Sequence, residues 1–155
     1  DAELSDNLTG LWTAGAWEML TLWNTAQGTT LAAPECSVFE EIEGVSAKVT
    51  CESASSDSLV QAVGATPVPA TVTTLVTAEG ISSFRFLYGS PDFRDVGGPF
   101  DTGVTANHPD DVGAVGFGNW TSVEEAQQNG ALTAQYAAEW AAYLDENNCD
   151  YRTTC

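Results

Sequence analysis

Basic residues are scarce in this sequence. Lysine and arginine together number 4 against 22 aspartates and glutamates, which gives a formal net charge of −18 at pH 7. Such a surface cannot replace the counterions of a phosphate backbone, and it is repelled by anionic lipid. No apolar run approaches the length of a membrane span, and no signal-peptide pattern is present. We therefore expect a water-soluble chain that binds no nucleic acid and does not insert into a membrane.

Metal and cofactor motifs are also missing. The chain has one histidine and four cysteines without a C-x-x-C pair, which disfavours zinc, and it contains no D-x-D-x-D-G calcium loop. The segment VGAVGFGNW follows no predicted strand and has its glycines in the wrong order for a phosphate loop. No serine stands in a nucleophile-elbow context. The sequence thus predicts no metal and no cofactor.

What the sequence does contain is enough apolar material for a core. Hydrophobic residues make up 43% and aromatic residues 10% of 155 residues, which is typical of one globular domain and too much for a disordered chain. No internal repeat, low-complexity segment or linker interrupts it. We expect a single domain over residues 1–155, with an acidic surface that keeps the protein soluble.

The four cysteines predict two local disulfides. Cys36 and Cys51 flank the strand-like runs SVFEEI and VSAKVTC, and a hairpin turning at Glu43-Gly44 would place the two sulfurs opposite each other. Cys149 and Cys155 lie six residues apart at the C-terminus, where a bridge would hold the tail. The alternative is four free thiols in a cytosolic protein. Two bridges favour an oxidising compartment, and we expect a secreted protein.

Two further features bear on export. The first residue is Asp1 and not Met, which fits a chain trimmed after secretion. Asn7 and Asn119 each begin an N-x-T triplet and are candidate glycosylation sites, although such triplets often arise by chance.

Periodicity and turn residues predict the remaining elements. An amphipathic helix is expected over Ser5–Asn24, stopped by Gly28, and a short helix SLVQAV is expected after Asp57. Strands are predicted at 70–78 and at 81–88, with Glu79-Gly80 in the turn between them. Later helices are predicted at 99–107, restarting near Pro109, and at 131–146, preceded by overlapping capping boxes at Thr121 and Ser122.

Four segments carry a family resemblance: ECSVFEEIEGVSAKVTC, VTAEGISSFRF, NHPDD and LTAQYAAEW. With them the chain, from about Leu8 to Tyr143, resembles secreted actinobacterial proteins of the nuclear transport factor 2-like, SnoaL-like superfamily, although it lacks the Trp of their W-x-x-x-x-H-P-x-D segment. The resemblance implies an α+β fold in which a strongly bent antiparallel sheet forms a cone, with N-terminal and C-terminal helices. It also implies a homo-oligomer assembled through the outer sheet face.

Candidate catalytic residues are few. Members of the superfamily that do chemistry place a carboxylate in the cavity with a Tyr or Trp donor opposite, and here Asp92 with Tyr88 would take those roles, with Asp95 and Asp101 as further acids. The competing interpretation of SPDFRD is an exposed loop paired through its arginine. His108 is the one side chain of a type that serves as acid and base near neutral pH, but the acids that follow it are also typical of a helix start.

Three functions stay open. The many aromatic residues indicate either core packing or the lining of an apolar cavity, for which Trp12, Phe86 and Tyr88 are the candidates. The first hypothesis is a secreted domain that binds a small apolar ligand. The second is an isomerase, cyclase or hydrolase that uses a cavity Asp with Tyr88. The third is a self-assembling extracellular structural protein.

Overall fold

The computed structural model describes residues 14–42, 45–77, 80–88, 91–115 and 120–152. Its helices are α1 (Ala14–Ala26), α2 (Ser58–Ala62), α3 (Pro91–Asn107) and α4 (Val123–Glu146), with a 3-10 helix at Pro109–Ala114. Its strands are β1 (Thr30–Leu31), β2 (Glu35–Ile42), β3 (Val45–Ser56), β4 (Val68–Thr77) and β5 (Gly80–Tyr88). The predicted α+β class is confirmed. None of the described helices is both long enough and apolar enough to cross a membrane.

The chain divides into two compact units. Of the described residues, the sheet unit holds 31–42, 45–55, 67–77 and 80–88, and the helical unit holds 14–30, 56–66, 91–115 and 120–152. The single domain over residues 1–155 stays a prediction.

The strands form one open sheet. Their order is β1-β3-β4-β5, and β2 also pairs with β3. The pairs β2–β3, β3–β4 and β4–β5 are all antiparallel, as expected for strands joined by short hairpins. The antiparallel sheet is confirmed, whereas its closure into a strongly bent cone stays a prediction.

The first hairpin carries a disulfide. Ile42 pairs with Val45 at its turn, and further along the strands Cys36 pairs directly with Cys51. Their Cα atoms lie 4.0 Å apart and the two sulfurs are bonded, so the predicted hairpin and bridge are confirmed. Cys149 is also disulfide-bonded, and Cys155, the partner predicted for it, lies outside the described residues.

The second hairpin joins β4 and β5. Strand β5 covers the predicted residues 81–88, and the register places Phe84, Phe86 and Tyr88 on one face, because they pair with alternate residues of β4. Strand β4 begins at Val68, two residues earlier than predicted, and includes Pro69. The pairing of β4 with β5 begins only at Ala70. Pro69 therefore pairs only with β3 and has no partner in β5. A proline is tolerated at such an edge position, because its missing N–H is not needed for a second strand pairing.

Helix α1 ends where the sequence predicted a stop. Gly28 has φ +72°, the amide of Gly28 donates to the carbonyl of Thr25, and the amide of Thr29 donates to that of Asn24. This pair of bonds is a Schellman motif, which a glycine in the left-handed region permits. The helix extends to Ala26, and the predicted residues 5–13 lie outside the described part.

Helix α2 is fixed by its cap. The carboxylate of Asp57 accepts a hydrogen bond from the amide of Val60 at 3.0 Å, and Gly64 with φ +62° follows the helix. The predicted helical run after Asp57 is confirmed. Gln61 then ties α2 to the end of α1 by donating to the carbonyl of Gly28 at 2.9 Å.

Helix α3 begins at Pro91, eight residues before the predicted start at Pro99. Proline inside a helix removes one backbone hydrogen bond, which is why the sequence favoured Pro99 as a first-turn residue. The structure instead buries Val96, Phe100 and Val104, which follow one another at four-residue spacing along one side of α3. Burying this stripe offsets the lost bond. The helix ends at Asn107 and a 3-10 helix begins at Pro109, as the sequence indicated.

Helix α4 begins at Val123, so the predicted start at 131 is wrong by eight residues. It begins at the capping box, where the hydroxyl of Ser122 accepts from the amide of Glu125 at 3.1 Å. Phe100 and Val104 pack with Tyr136 and Ala137 of α4 in the core of the helical unit. The ring of Phe100 meets that of Trp140 edge-on at 5.7 Å. Among the described residues, the buried apolar side chains of the helical unit are Val60, Val96, Phe100, Val104, Ala126, Tyr136, Ala137 and Leu144.

Candidate functional site

One face of α4 lines a small groove in the helical unit. Glu125, Gln128, Asn129 and Leu132 recur at three- and four-residue spacing, which places them side by side on a helix. Trp120 from the preceding segment completes the wall, together with Gly113 and Ala114 from the 3-10 helix. The groove has a volume of about 200 Å³.

The buried side chain in this groove is Asn129, which is only 6% exposed. Its Oδ1 accepts a hydrogen bond from the indole Nε1 of Trp23 at 2.8 Å. An indole nitrogen can only donate, so this bond fixes which end of the amide is oxygen and which is nitrogen. Among the described residues, Nδ2 of Asn129 has no hydrogen-bond partner, and it is not sealed from solvent. The groove therefore presents an oriented N–H donor.

An aromatic pair supports the same wall. The rings of Trp23 and Trp120 lie 5.3 Å apart with a 34° tilt between their planes, within the range in which aromatic side chains attract each other. Trp23 thus packs against Trp120 and holds Asn129 at the same time. Both tryptophans are half-buried.

Glu125 supplies a carboxylate acceptor to the groove. Its Oε2 accepts from the backbone amide and from the hydroxyl of Thr121, each at 2.7 Å. These bonds, the backbone one first, lower the pKa of the Glu125 carboxyl below its ordinary value, because they stabilise the charged form. Oε1 of Glu125 accepts no hydrogen bond from the part of the chain that the structure describes. One carboxylate oxygen is therefore available to a ligand.

A second cluster, the histidine–tyrosine cluster, lies one helical turn beyond Leu132. It consists of His108, Asp111, Tyr136 and Glu139. The imidazole of His108 stacks on the ring of Tyr136 at a centroid distance of 3.9 Å, and its Nε2 lies 3.0 Å from Oε2 of Glu139. The phenol of Tyr136 donates to Oδ2 of Asp111 at 2.6 Å. These contacts connect the end of α3 and the 3-10 helix to α4.

The phenol of this cluster holds its proton firmly. The hydrogen bond to Asp111, followed by burial and by the charges of Asp111 and Glu139, raises the pKa of Tyr136 to about 12. Tyr136 therefore stays a hydrogen-bond donor across the neutral range and is unsuited to act as a base. His108 lies just before the 3-10 helix with Asp110 and Asp111 in its first turn, so the cluster joins elements, and a catalytic role for His108 stays a prediction.

For most of the other predicted site residues the structure gives only the position in the fold. Phe86 and Tyr88 lie in β5 and Asp92 in the first turn of α3, and the structure describes the backbone alone at these three positions. Asp101 lies in α3, where partial burial raises the pKa of its carboxyl. Trp12, Asn7 and Asn119 lie outside the described residues.

The sequence pattern does not predict the groove. The lining residues predicted from the sequence do not include Trp120, and the capping box that begins at Ser122 predicts only a structural role for Glu125. Asn129 did leave a signal, because asparagine is a poor residue for a helix interior, and here it stands beside Gly130 in a helix otherwise rich in alanine. Its hydrogen bond to Trp23, 106 residues away along the chain, could not be read from that signal.

Neither a metal-binding cluster nor a known relative identifies the role of this groove. Among the described residues, no three His, Cys, Asp or Glu side chains are grouped so that they could hold a metal ion. No protein-family model, curated protein or solved structure matches the chain.

Proposed function

We propose that this protein is a secreted small-molecule-binding domain and that the groove beside Trp120 is its binding site. The observation that carries the proposal is the buried amide of Asn129, which lines the groove and is held by a hydrogen bond from Trp23. A concave site that combines apolar surface with a few polar groups, here those of Glu125, Gln128 and Asn129, is typical of ligand recognition. The groove is more polar than the aromatic-lined cavity that the sequence predicted.

Secretion is supported by the cysteines. Cys36 and Cys51 are bonded, and Cys149 is bonded as well. The described part of the chain contains no free cysteine. Structural disulfides persist in oxidising compartments and are rare where thiols are kept reduced. Secretion into such a compartment is therefore part of the proposal.

We also propose the nuclear transport factor 2-like fold for the chain. The α+β class, the leading helix, the antiparallel hairpins and the closing helix α4 support it. On this fold Phe86, Tyr88 and Trp12 would line a further cavity, and the outer face of the sheet would join copies of the chain. Both statements stay predictions.

The test is to release and identify whatever the purified protein carries. The native protein is denatured and the small molecules that it frees are identified by mass spectrometry. The same is done for Gly113→Leu, since Gly113 lines the groove, a Cβ added there meets no atom within 4 Å, and a larger side chain should narrow the groove. Gly97→Leu is the matched control, because Gly97 has the same free space but lies away from the groove.

We expect one class of small molecule from the wild type and from Gly97→Leu, and at least a tenfold loss from Gly113→Leu. Equal release from all three proteins would contradict the groove as the site. Catalytic conversion of the released molecule that disappears in Asp92→Asn would support the enzyme hypothesis instead. A large oligomer carrying no small molecule would favour self-assembly.

A further inference from the structure

We propose that the groove recognises a neutral, planar amide group in its ligand, an inference that rests on the proposed function. The carbonyl oxygen of the ligand accepts from Nδ2 of Asn129, and its N–H donates to Oε1 of Glu125. Asn129 and Glu125 are four residues apart on α4, so their side chains emerge about 6 Å apart on the same face of the helix. A group that carries an acceptor and a donor attached to the same carbon atom can bridge them, and an amide is the simplest such group.

The requirement for an acceptor comes from Asn129. Oδ1 already accepts from the indole of Trp23 at 2.8 Å, whereas Nδ2 has no partner among the described residues, so the N–H end of the amide is the one that still needs an acceptor. The side chain of Asn129 is only 6% exposed. A hydrocarbon in the groove would exclude water from it and leave its N–H without a hydrogen-bond partner. A purely apolar ligand is therefore disfavoured.

The charge of the groove excludes anions. Glu125 lies in its wall with one carboxylate oxygen available, and the chain as a whole carries −18. No lysine or arginine lines the groove in the described part of the chain. A carboxylate or phosphate ligand would meet repulsion there with no compensating cation.

The remaining wall favours a flat group. Trp120 and Leu132 offer apolar surface, and Trp120 is held in place by its contact with the ring of Trp23. A planar amide or an attached ring can lie against an indole, whereas a fully cationic ligand would place a donor against the donor of Asn129. The charge of the groove thus disfavours an anion, and its hydrogen-bonding groups favour a neutral amide, which offers both an acceptor and a donor, over a cation that offers donors only.

Benzamide, benzoate and benzamidinium test this selection, because they share shape and differ in charge and in hydrogen-bonding groups. Binding is measured by isothermal titration calorimetry and by the side-chain amide signal of Asn129 in ¹H–¹⁵N spectra. Asn129→Asp keeps an acceptor for Trp23 and replaces the donor by a second oxygen. Gln127→Glu adds the same charge at an exposed position of α4 outside the groove.

We expect benzamide to bind the wild type and Gln127→Glu alike, to shift the Asn129 side-chain signal, and to bind Asn129→Asp at least tenfold more weakly. Benzoate should not bind. If Asn129→Asp does not fold, the test is whether benzamide shifts the side-chain amide signal of Asn129 in the wild-type protein. A probe that binds in the groove without moving that signal would overturn the amide assignment and leave the proposed function standing. If no probe binds and Gly113→Leu releases the same molecules as the wild type, both are overturned.

Discussion

Gly130 shows how one residue sets the distance between two helices. A Cβ at this position would lie 2.5 Å from the carbonyl oxygen of Trp23 and 2.9 Å from the Cβ of Ala26. Glycine in a helix interior costs about 1 kcal/mol relative to alanine, and close packing of α1 on α4 offsets that cost. The same close approach brings the indole of Trp23 to Asn129, so Gly130 acts indirectly on the groove.

Replacing Gly130 by alanine should destabilise the protein despite the gain in helix propensity. We expect Gly130→Ala to lower the free energy of unfolding by about 1–3 kcal/mol, because the added methyl group meets backbone and not a flexible side chain. Gly97→Ala is the control, since a Cβ there meets no atom within 4 Å, and it should raise stability by up to about 1 kcal/mol. Urea unfolding of both variants checks this. Equal stabilisation by the two substitutions would contradict the close packing.

At the scale of the element, α4 depends on its first turn. Ser122 and Glu125 form a variant of the capping box: the serine hydroxyl accepts from the amide of Glu125, and the Glu125 carboxylate accepts from the amide of Thr121, one residue before the cap. Two otherwise unpaired N–H groups are satisfied in this way. Since Glu125 also lines the groove, one residue in the first turn of α4 both supports the helix start and supplies an acceptor to the site.

The box should make stability depend on acid pH. The pKa of Glu125 is lowered in the folded protein, so its contribution is present above the ordinary value of 4.5 and is lost as the pH falls below it. Glu125→Gln should therefore lower the thermal midpoint at pH 7 and flatten its decline on acidification. Glu124→Gln removes a charge from the same turn and is the control. Parallel pH profiles for the two variants would show that the bonds from Thr121 contribute nothing.

At the scale of the whole molecule, disulfide bonds contribute to stability in addition to a small hydrophobic core. The sheet unit buries Val68 and Ala70 among its described residues, and β2 is exposed along 35–38. The bond between Cys36 and Cys51 holds that exposed strand to β3. A bridge stabilises chiefly by limiting the freedom of the unfolded chain.

Removing this bridge should be costly. We expect the double variant Cys36→Ser, Cys51→Ser to lose about 3 kcal/mol, the value typical for closing a loop of about 15 residues, measured by guanidinium unfolding without reductant. Adding reductant to the variant reports the remaining bridge at Cys149. If the variant and the wild type unfold at the same denaturant concentration, the bridge is not a stabilising feature.

The sequence by itself determined the local features of this protein: the Glu43-Gly44 hairpin with its opposed cysteines, the stop at Gly28, the cap at Asp57 and the acidic surface. These depend on turn chemistry and periodicity over a few residues, which the sequence displays directly. Tertiary structure alone decided that α3 continues through Pro99, because burying Val96, Phe100 and Val104 outweighs a local preference. It alone also decided that Asn129 faces a groove, since the bond that orients it comes from Trp23 on another helix.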